Sequence, residues 1–219
     1  MIQKILAIGC SFTAGQELPD AKNTEEISEY AYPALLAKRY NASLNNLSMS
    51  GTGNHRIFRK VVNEICRQQY DLVICGWTTW ERLDLQFENR DLASAIGSIP
   101  YQEYPWLRTY YKYHSDMSVA AETWLSQMIT LQSFFQITNQ KYIFLGCQSF
   151  QFDRYDPLVE KYQHLIDKID ATKFIGWPKR TMLDIVADSP KGPGGHPLEL
   201  GHYKIADEIH KQIQNLGWL

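Results

Sequence analysis

Short apolar runs alternate along the chain with longer stretches in which apolar residues recur at helical spacing. Three runs of four apolar residues cover positions 5–8, 72–75 and 142–145, and a glycine follows each of them. Runs this short, bounded by glycine, are typical of buried strands rather than of helices. A fourth, more mixed run over residues 42–49 is also predicted to be a strand.

Helical spacing of apolar residues predicts helices over residues 28–39, 119–135, 153–170 and 198–216, with one more after Asn54. Strands and helices therefore alternate, which favours an α/β protein with a parallel sheet and helices on both of its faces. No repeat or low-complexity linker divides the chain, and we predict a single domain over residues 1–219.

Residues 83–117 fit neither period. Pro100 and Pro105 interrupt this segment, and six tyrosine and tryptophan residues cluster within it. We interpret it as an aromatic-rich insertion that packs over the C-terminal edge of the sheet. Such a segment forms a pocket wall, a surface for homo-oligomer formation or a small local core, and all three remain open at this point.

The composition narrows the class of protein. The 219 residues carry a net charge of −2, which gives no electrostatic support for nucleic acid or a membrane surface as a partner. No apolar run approaches the roughly 18 residues of a membrane span, and no signal peptide is recognised. The four cysteines lack the spacing of a metal site. We therefore expect a cytoplasmic protein with reduced thiols.

Two distant motifs carry the candidate chemistry. Ser11 follows the first predicted strand in Gly9-Cys10-Ser11-Phe12, where a serine on a tight turn is placed as a nucleophile would be. The alternative is that Ser11 only caps the next helix. Near the other end, Gly195-His196-Pro197 places a histidine in a glycine- and proline-rich loop just before the last predicted helix.

These motifs, with a glycine-rich loop at residues 50–54 between them, resemble the SGNH hydrolase (GDSL esterase/lipase) superfamily. The resemblance implies a flavodoxin-like, three-layer α/β/α fold with a parallel sheet of about five strands. It also implies ester hydrolysis with Ser11 as the nucleophile and His196 as the general base, without a metal or an organic cofactor. It does not account for residues 83–140.

The oxyanion site departs from the family pattern. The resemblance implies that the backbone N–H of Gly51 helps to bind the oxyanion. Thr78, in Gly76-Trp77-Thr78-Thr79, stands where the family has an asparagine, and its hydroxyl is a shorter donor. Asn54 is an alternative source of the missing amide, or it is a plain helix cap.

The acidic partner of the histidine is also missing from its usual place. The family has an aspartate three residues before the histidine, where this chain has Pro193. Asp188 is the nearest upstream candidate and Asp184 the second. A Ser–His dyad whose ring is oriented by a backbone carbonyl is the third alternative. His202 is predicted to be structural.

Glu81 and Arg82 follow the strand that ends at Gly76. We expect them either to bind polar groups of a substrate or to pair with each other.

The resemblance thus predicts a serine-dependent esterase or O-deacetylase that acts on a small-molecule or glycan ester through an acyl-enzyme. One alternative is a catalytically impaired binding module of the same fold, with a glycan or nucleotide ligand. Another is a phosphate binder that uses Ser11, Thr13 and the loop of residues 51–53, although the chain lacks a phosphate-binding Gly-x-x-x-x-Gly-Lys motif.

Overall fold

The computed structural model describes residues 1–87, 90–94, 99–113, 115–148 and 156–219. Its strands are β1 (Lys4–Gly9), β2 (Ser43–Asn46), β3 (Leu72–Trp77), β4 (Leu83–Phe87), β5 (Arg90–Ser94), β6 (Tyr142–Gly146) and β7 (Phe174–Ile175). Its helices are α1 (Ser11–Ala14), α2 (Tyr32–Tyr40), α3 (Asn54–Ile65), α4 (Ile99–Glu103), α5 (Pro105–Tyr113), α6 (Met117–Ile137), α7 (Asp156–Ile166), α8 (Met182–Ile185) and α9 (Glu199–Asn215).

Five strands form one parallel sheet in the order β2-β1-β3-β6-β7. The register places Gly9 of β1 beside Gly76 of β3, and Trp77 beside Gly146 of β6. The glycines that end the three central strands therefore lie at one edge of the sheet. In open parallel sheets this carboxyl edge is where ligands bind.

Helices cover both faces of the sheet. Side chains of a strand alternate between the two faces, so each central strand contributes to two core clusters. On β3, Val73, Cys75 and Trp77 join the core cluster that contains residues of α3, α6 and α7. Leu72 and Ile74 join the other cluster, with residues of α2 and α9. Full burial of one such apolar side chain stabilises the fold by about 1.5–3 kcal/mol. The predicted three-layer α/β/α architecture is confirmed.

Several element bounds differ from the predictions. The helix predicted from residue 28 begins at Tyr32, with Pro33 in its first turn. Ser28 lies before it and donates a hydrogen bond to Asp20 Oδ1 at 2.5 Å. The helix predicted over residues 153–170 ends at Ile166, and residues 153–155 of that prediction lie outside the described ranges.

The insertion contains the antiparallel hairpin β4–β5 and the helices α4 and α5. Residues 88–89, 95–98 and 114 of the predicted segment are not among those described. Tyr111 ties α5 to the chain after β3: its hydroxyl accepts from the Leu83 N–H and donates to the Glu81 carbonyl, both at 3.3 Å. Tyr104, Trp106 and Tyr113 are exposed, and their role in self-association stays a prediction.

Within the described ranges, no helix combines the length and the apolar character that crossing a lipid bilayer requires.

Candidate active site

Ser11 lies at the carboxyl edge of the sheet, on a one-turn helix that folds back over the strand ends. It is the first residue of α1, which ends at Gly15 with a φ of 80°. A Cβ at Gly9 would lie 2.0 Å from Thr13 Oγ1 and 2.9 Å from the Gly76 carbonyl oxygen. Only glycine allows this close approach, so Gly9 fixes where the turn places Ser11. Ser11 has no capping hydrogen bond, since the cap position is Cys10.

His196 joins Ser11 to a carboxylate. Its Nε2 lies 2.9 Å from Ser11 Oγ, and its Nδ1 lies 2.7 Å from Glu17 Oε2. A carboxylate only accepts hydrogen bonds, so the partners assign the ring proton to Nδ1. Nε2 is then the acceptor for the Ser11 hydroxyl. This orientation allows His196 to take a proton from Ser11.

Glu17 is held in place by the loop that carries His196. Its carboxylate accepts from the Gly194 N–H at 2.6 Å and from the His196 N–H at 3.1 Å, besides the His196 ring. Burial raises the pKa of Glu17, but these hydrogen bonds outweigh it and leave the pKa below its ordinary value. Glu17 also has a φ of 71°, a left-handed conformation that is costly for a residue with a Cβ.

The prediction that Asp188 orients His196 is wrong. Asp188 is exposed and accepts a hydrogen bond from Lys204 Nζ at 2.6 Å. The second choice, Asp184, accepts from the N–H and hydroxyl of Thr181 in a capping box at the start of α8. Both carboxylates are thus held by local partners, and the position beside His196 Nδ1 is taken by Glu17.

Two of the predicted oxyanion residues flank Ser11. Ser11 and Thr78 each lie two residues beyond the paired glycines Gly9 and Gly76. On the other side of β1, the Met49 N–H donates to the Gly9 carbonyl at 3.1 Å, which keeps the chain beside Ser11 as it reaches Gly51. Gly51 has a φ of 76°, and a Cβ there would meet nothing within 4 Å.

Thr78 is 2% exposed, and its Oγ1 is buried without a hydrogen-bond partner among the described residues. A buried hydroxyl left unsatisfied costs about 1–3 kcal/mol. Such groups are few in native proteins, and each needs an explanation.

Asn54 neither caps α3 nor has its amide free. The cap position is Gly53, and the buried Asn54 side chain instead holds the turn after β3. Its Oδ1 accepts from the Thr78 N–H at 2.9 Å, and its Nδ2 donates to the carbonyls of Thr78 and Thr79 at 2.9 and 3.2 Å. Both of its predicted roles, oxyanion donor and helix cap, are therefore wrong: Asn54 fixes the backbone of Thr78.

His202, predicted to be structural, is fully buried behind the site. Its Nδ1 accepts from the Tyr32 N–H at 3.1 Å, and its ring stacks on Tyr32. Burial lowers the pKa of His202 to about 4, so the ring is neutral over the physiological range. Within the described chain, no group of three or more metal-ligating side chains contains it.

Cys10 is buried beneath Ser11, next to the Cys147 thiol. The hydrogen bond from Cys147, with help from the nearby charge of Arg82, lowers the pKa of Cys10 despite its burial. The charge of Arg82 therefore acts on both thiols at the carboxyl ends of β1 and β6. Glu81 and Arg82 form no ion pair with each other within 4.0 Å, so the prediction that they pair is wrong.

Comparison with known proteins decides the family. A family model described as "Family of unknown function (DUF6071)" matches residues 16–219. The chain belongs to DUF6071. The part of this DUF6071 protein that matches the model includes Glu17 and His196 and begins after Ser11. No curated protein matches the sequence significantly.

Several solved structures, two of them described as esterases, are similar to the DUF6071 chain in fold. TesA has a TM-score of 0.60 and 12% identity, over 98% of this chain and 99% of that one. The psychrotrophic esterase EstA from Pseudoalteromonas sp. has a TM-score of 0.58 and 15% identity, over 98% of both chains.

A family two carbohydrate esterase from Clostridium thermocellum, solved with cellohexaose, has a TM-score of 0.55 and 17% identity. The match covers 99% of the DUF6071 chain, which spans 65% of that esterase. At these identities, the likeness to the three structures shows the fold alone.

Proposed function

We propose that this DUF6071 protein is a serine-dependent ester hydrolase of the SGNH type, with Ser11, His196 and Glu17 as its catalytic triad. One observation carries the proposal: the unbroken hydrogen-bond chain from Ser11 Oγ through the His196 ring to Glu17. A hydroxyl bonded to an imidazole that a carboxylate orients is the arrangement that activates a serine. The similarity in fold to two esterases supports the same reaction class.

In the proposed reaction, Ser11 Oγ attacks the ester carbonyl while His196 Nε2 takes its proton. The ionised Glu17 stabilises the imidazolium that forms. His196 then gives this proton to the leaving alcohol, and the acyl group stays on Ser11. A water molecule, deprotonated by His196 in turn, releases the acid and restores the serine.

The oxyanion of the tetrahedral intermediate needs donors that are in place before the reaction. The proposed donors are the N–H groups of Ser11 and Gly51 and the hydroxyl of Thr78. The Ser11 N–H belongs to the first turn of α1, where it has no acceptor within the helix. The hydroxyl of Thr78 has no other partner in the described chain, and Asn54 holds its backbone.

The binding-module alternative was based on two missing family residues. Glu17 removes the first of these reasons, since His196 does have a carboxylate partner. Thr78 weakens the second, because its hydroxyl is free to donate. The substrate is proposed to be a small-molecule or glycan ester with a short acyl group.

The test is intact-mass analysis after treatment with a fluorophosphonate that reacts with activated serines. We expect one adduct on the wild type, none on Ser11→Ala, and slow labelling of His196→Ala. A panel of acetyl and longer acyl esters then measures hydrolysis. Absence of an adduct, under conditions that label a known serine esterase, would overturn the proposal and favour the binding module.

A further inference from the structure

A cavity of about 330 Å³ lies among residues that follow β3 and residues at the start of α3 and α6. Asn54, whose carboxamide holds the backbone of Thr78, forms part of its wall. Trp80, Trp124 and Tyr110 contribute aromatic surface, and Glu81 and Arg82 contribute charge. The cavity is large enough for the part of a small ester that does not react.

Arg82 brings a positive charge to this cavity. Among the described residues it donates a single hydrogen bond, from Nη1 to the Thr52 carbonyl at 3.3 Å, and it forms no ion pair. A guanidinium has five N–H donors in a fork that suits a carboxylate. Thr52 adjoins Gly51, so the guanidinium lies next to the proposed oxyanion loop.

Glu81 brings the opposite charge. Its Oε2 is buried and has no hydrogen-bond partner within the described part of the chain. The other carboxylates of the wall differ in this respect. Asp84 accepts from the N–H groups of Gly53 and Arg56, and Asp116 accepts from the Ser118 N–H at the start of α6.

A carboxylate oxygen without a hydrogen-bond partner and a guanidinium with a single hydrogen bond and no ion pair thus line the same cavity, among the described residues. Removing charged groups from water without partners is costly, and a ligand that pairs with both removes the cost. The ligand that complements the two charges is itself a zwitterion. Aromatic walls also suit a cationic group, which is attracted to the faces of tryptophan and tyrosine rings.

We propose that the substrate is an ester whose non-reacting part carries both a carboxylate, bound by Arg82, and an ammonium group, bound by Glu81. This inference rests on the proposed ester hydrolysis at Ser11, and it names the class of substrate.

Four acetyl esters separate the two charges. O-acetylhomoserine carries both, 4-acetoxybutyrate only the carboxylate, 3-aminopropyl acetate only the ammonium group, and propyl acetate neither. Binding of each intact ester is measured by calorimetry on the Ser11→Ala variant, which lacks the proposed nucleophile. We expect O-acetylhomoserine to bind at least about tenfold more tightly than any of the other three, since hydrogen bonds between charged groups are the strong ones.

Charge-neutral variants assign each contact, and they are made in the Ser11→Ala background. Arg82→Gln is expected to weaken binding of O-acetylhomoserine and 4-acetoxybutyrate about 30-fold relative to 3-aminopropyl acetate. Glu81→Gln is expected to weaken binding of O-acetylhomoserine and 3-aminopropyl acetate by a similar factor relative to 4-acetoxybutyrate. Arg67→Gln, which removes an exposed arginine outside the cavity wall, serves as the control and should leave the ranking unchanged.

Equal affinity for the four esters would overturn the inference. So would an equal loss for all four esters in Arg82→Gln and Glu81→Gln, which would give these residues a role in the fold rather than in charge recognition. Fluorophosphonate labelling of the wild type reports separately on the proposed function. A labelled serine without preference among the esters therefore rejects the substrate class and keeps the hydrolase.

Discussion

Among single residues, Glu17 gives the sharpest test of the proposed triad. Among the described residues, its carboxylate bonds only to the His196 ring and to two backbone N–H groups. In Glu17→Gln the amide has nearly the same shape but no charge to stabilise the imidazolium. We expect the rate of fluorophosphonate labelling and of ester hydrolysis to fall by about 10²–10⁴-fold. Circular dichroism should show an unchanged fold.

Asp188→Asn is the matched control for Glu17→Gln, since it neutralises a carboxylate nearer to His196 in sequence that bonds only to Lys204. It should leave labelling within about twofold of the wild type, as surface substitutions do. Slow labelling of Asp188→Asn together with normal labelling of Glu17→Gln would contradict the assignment.

Thr78 permits a separation of catalysis from stability. Thr78→Val keeps the shape of the side chain but removes the hydroxyl, so hydrolysis should fall by about 10²-fold if this group donates to the oxyanion. Thermal unfolding should occur at the same or a higher temperature, because a buried hydroxyl without a partner is lost. Thr78→Ser should keep most of the activity. A stability loss with unchanged hydrolysis would assign Thr78 to the fold.

The sequence could single out Ser11, His196, Gly51 and Thr78 as candidates because each belongs to a local motif. It could not predict Glu17, which lies 179 residues from His196 and has a left-handed backbone that is unusual for glutamate. One signal did exist in the glycine-rich run before His196. A Cβ at Gly192 would lie 2.6 Å from Glu17 Oε2, so that glycine marks the approach of a side chain from elsewhere in the chain.

Among the elements, the junction of β1 and α1 is the most constrained. In Gly9→Ala the new Cβ would meet Thr13 Oγ1 and the Gly76 carbonyl, so the turn must shift. We expect a loss of about 1–3 kcal/mol in the free energy of unfolding, measured with urea, and slower labelling of the displaced Ser11.

Gly217→Ala is the control for Gly9→Ala. Gly217 has a φ of 66°, and a Cβ there would meet nothing within 4 Å, so this variant reports backbone strain alone. If the two substitutions cost the same and labelling is unaffected in both, then the close contact at Gly9 does not position Ser11.

The three central strands could be predicted from the sequence because burial, which stabilises them, also requires apolar residues. The strands β1, β3 and β6 are buried along almost their whole length, and this burial requires continuous apolar runs. β7 has only two residues, Phe174 and Ile175, which is too short to show any period. The hairpin of β4 and β5 was missed within the aromatic-rich insertion, where no steady alternation marks it.

For the molecule as a whole, His202 links stability to pH. Its pKa is about 4 in the folded protein and 6.5 in the unfolded chain, so only the unfolded chain gains a proton between these values. The stabilisation is complete above pH 6.5 and is lost as the pH falls towards 4. We expect a loss of roughly 2–3 kcal/mol over this window, measured by urea unfolding.

The variant His202→Asn cannot titrate, and its amide oxygen replaces Nδ1 as an acceptor for the Tyr32 N–H. Its free energy of unfolding should depend less steeply on pH between 6.5 and 4, although it should be lower than that of the wild type at pH 6.5. Parallel curves for the two proteins would show that another group causes the pH dependence.

The hydrogen bonds between Glu17 and the loop of residues 192–196 also determine which positions of this loop can change in sequence. Ser11 and Glu17, the proposed nucleophile and acid, lie within one short N-terminal segment, whereas His196, the proposed base, lies near the other end of the sequence. Apart from the His196 ring, Glu17 holds this loop by N–H groups of the main chain, which nearly every amino acid supplies. Among members of the family, we therefore expect the sequence of this loop to vary wherever a side chain points away from Glu17. We expect it to be conserved at Gly192 and Gly194, where a Cβ would approach the Glu17 carboxylate.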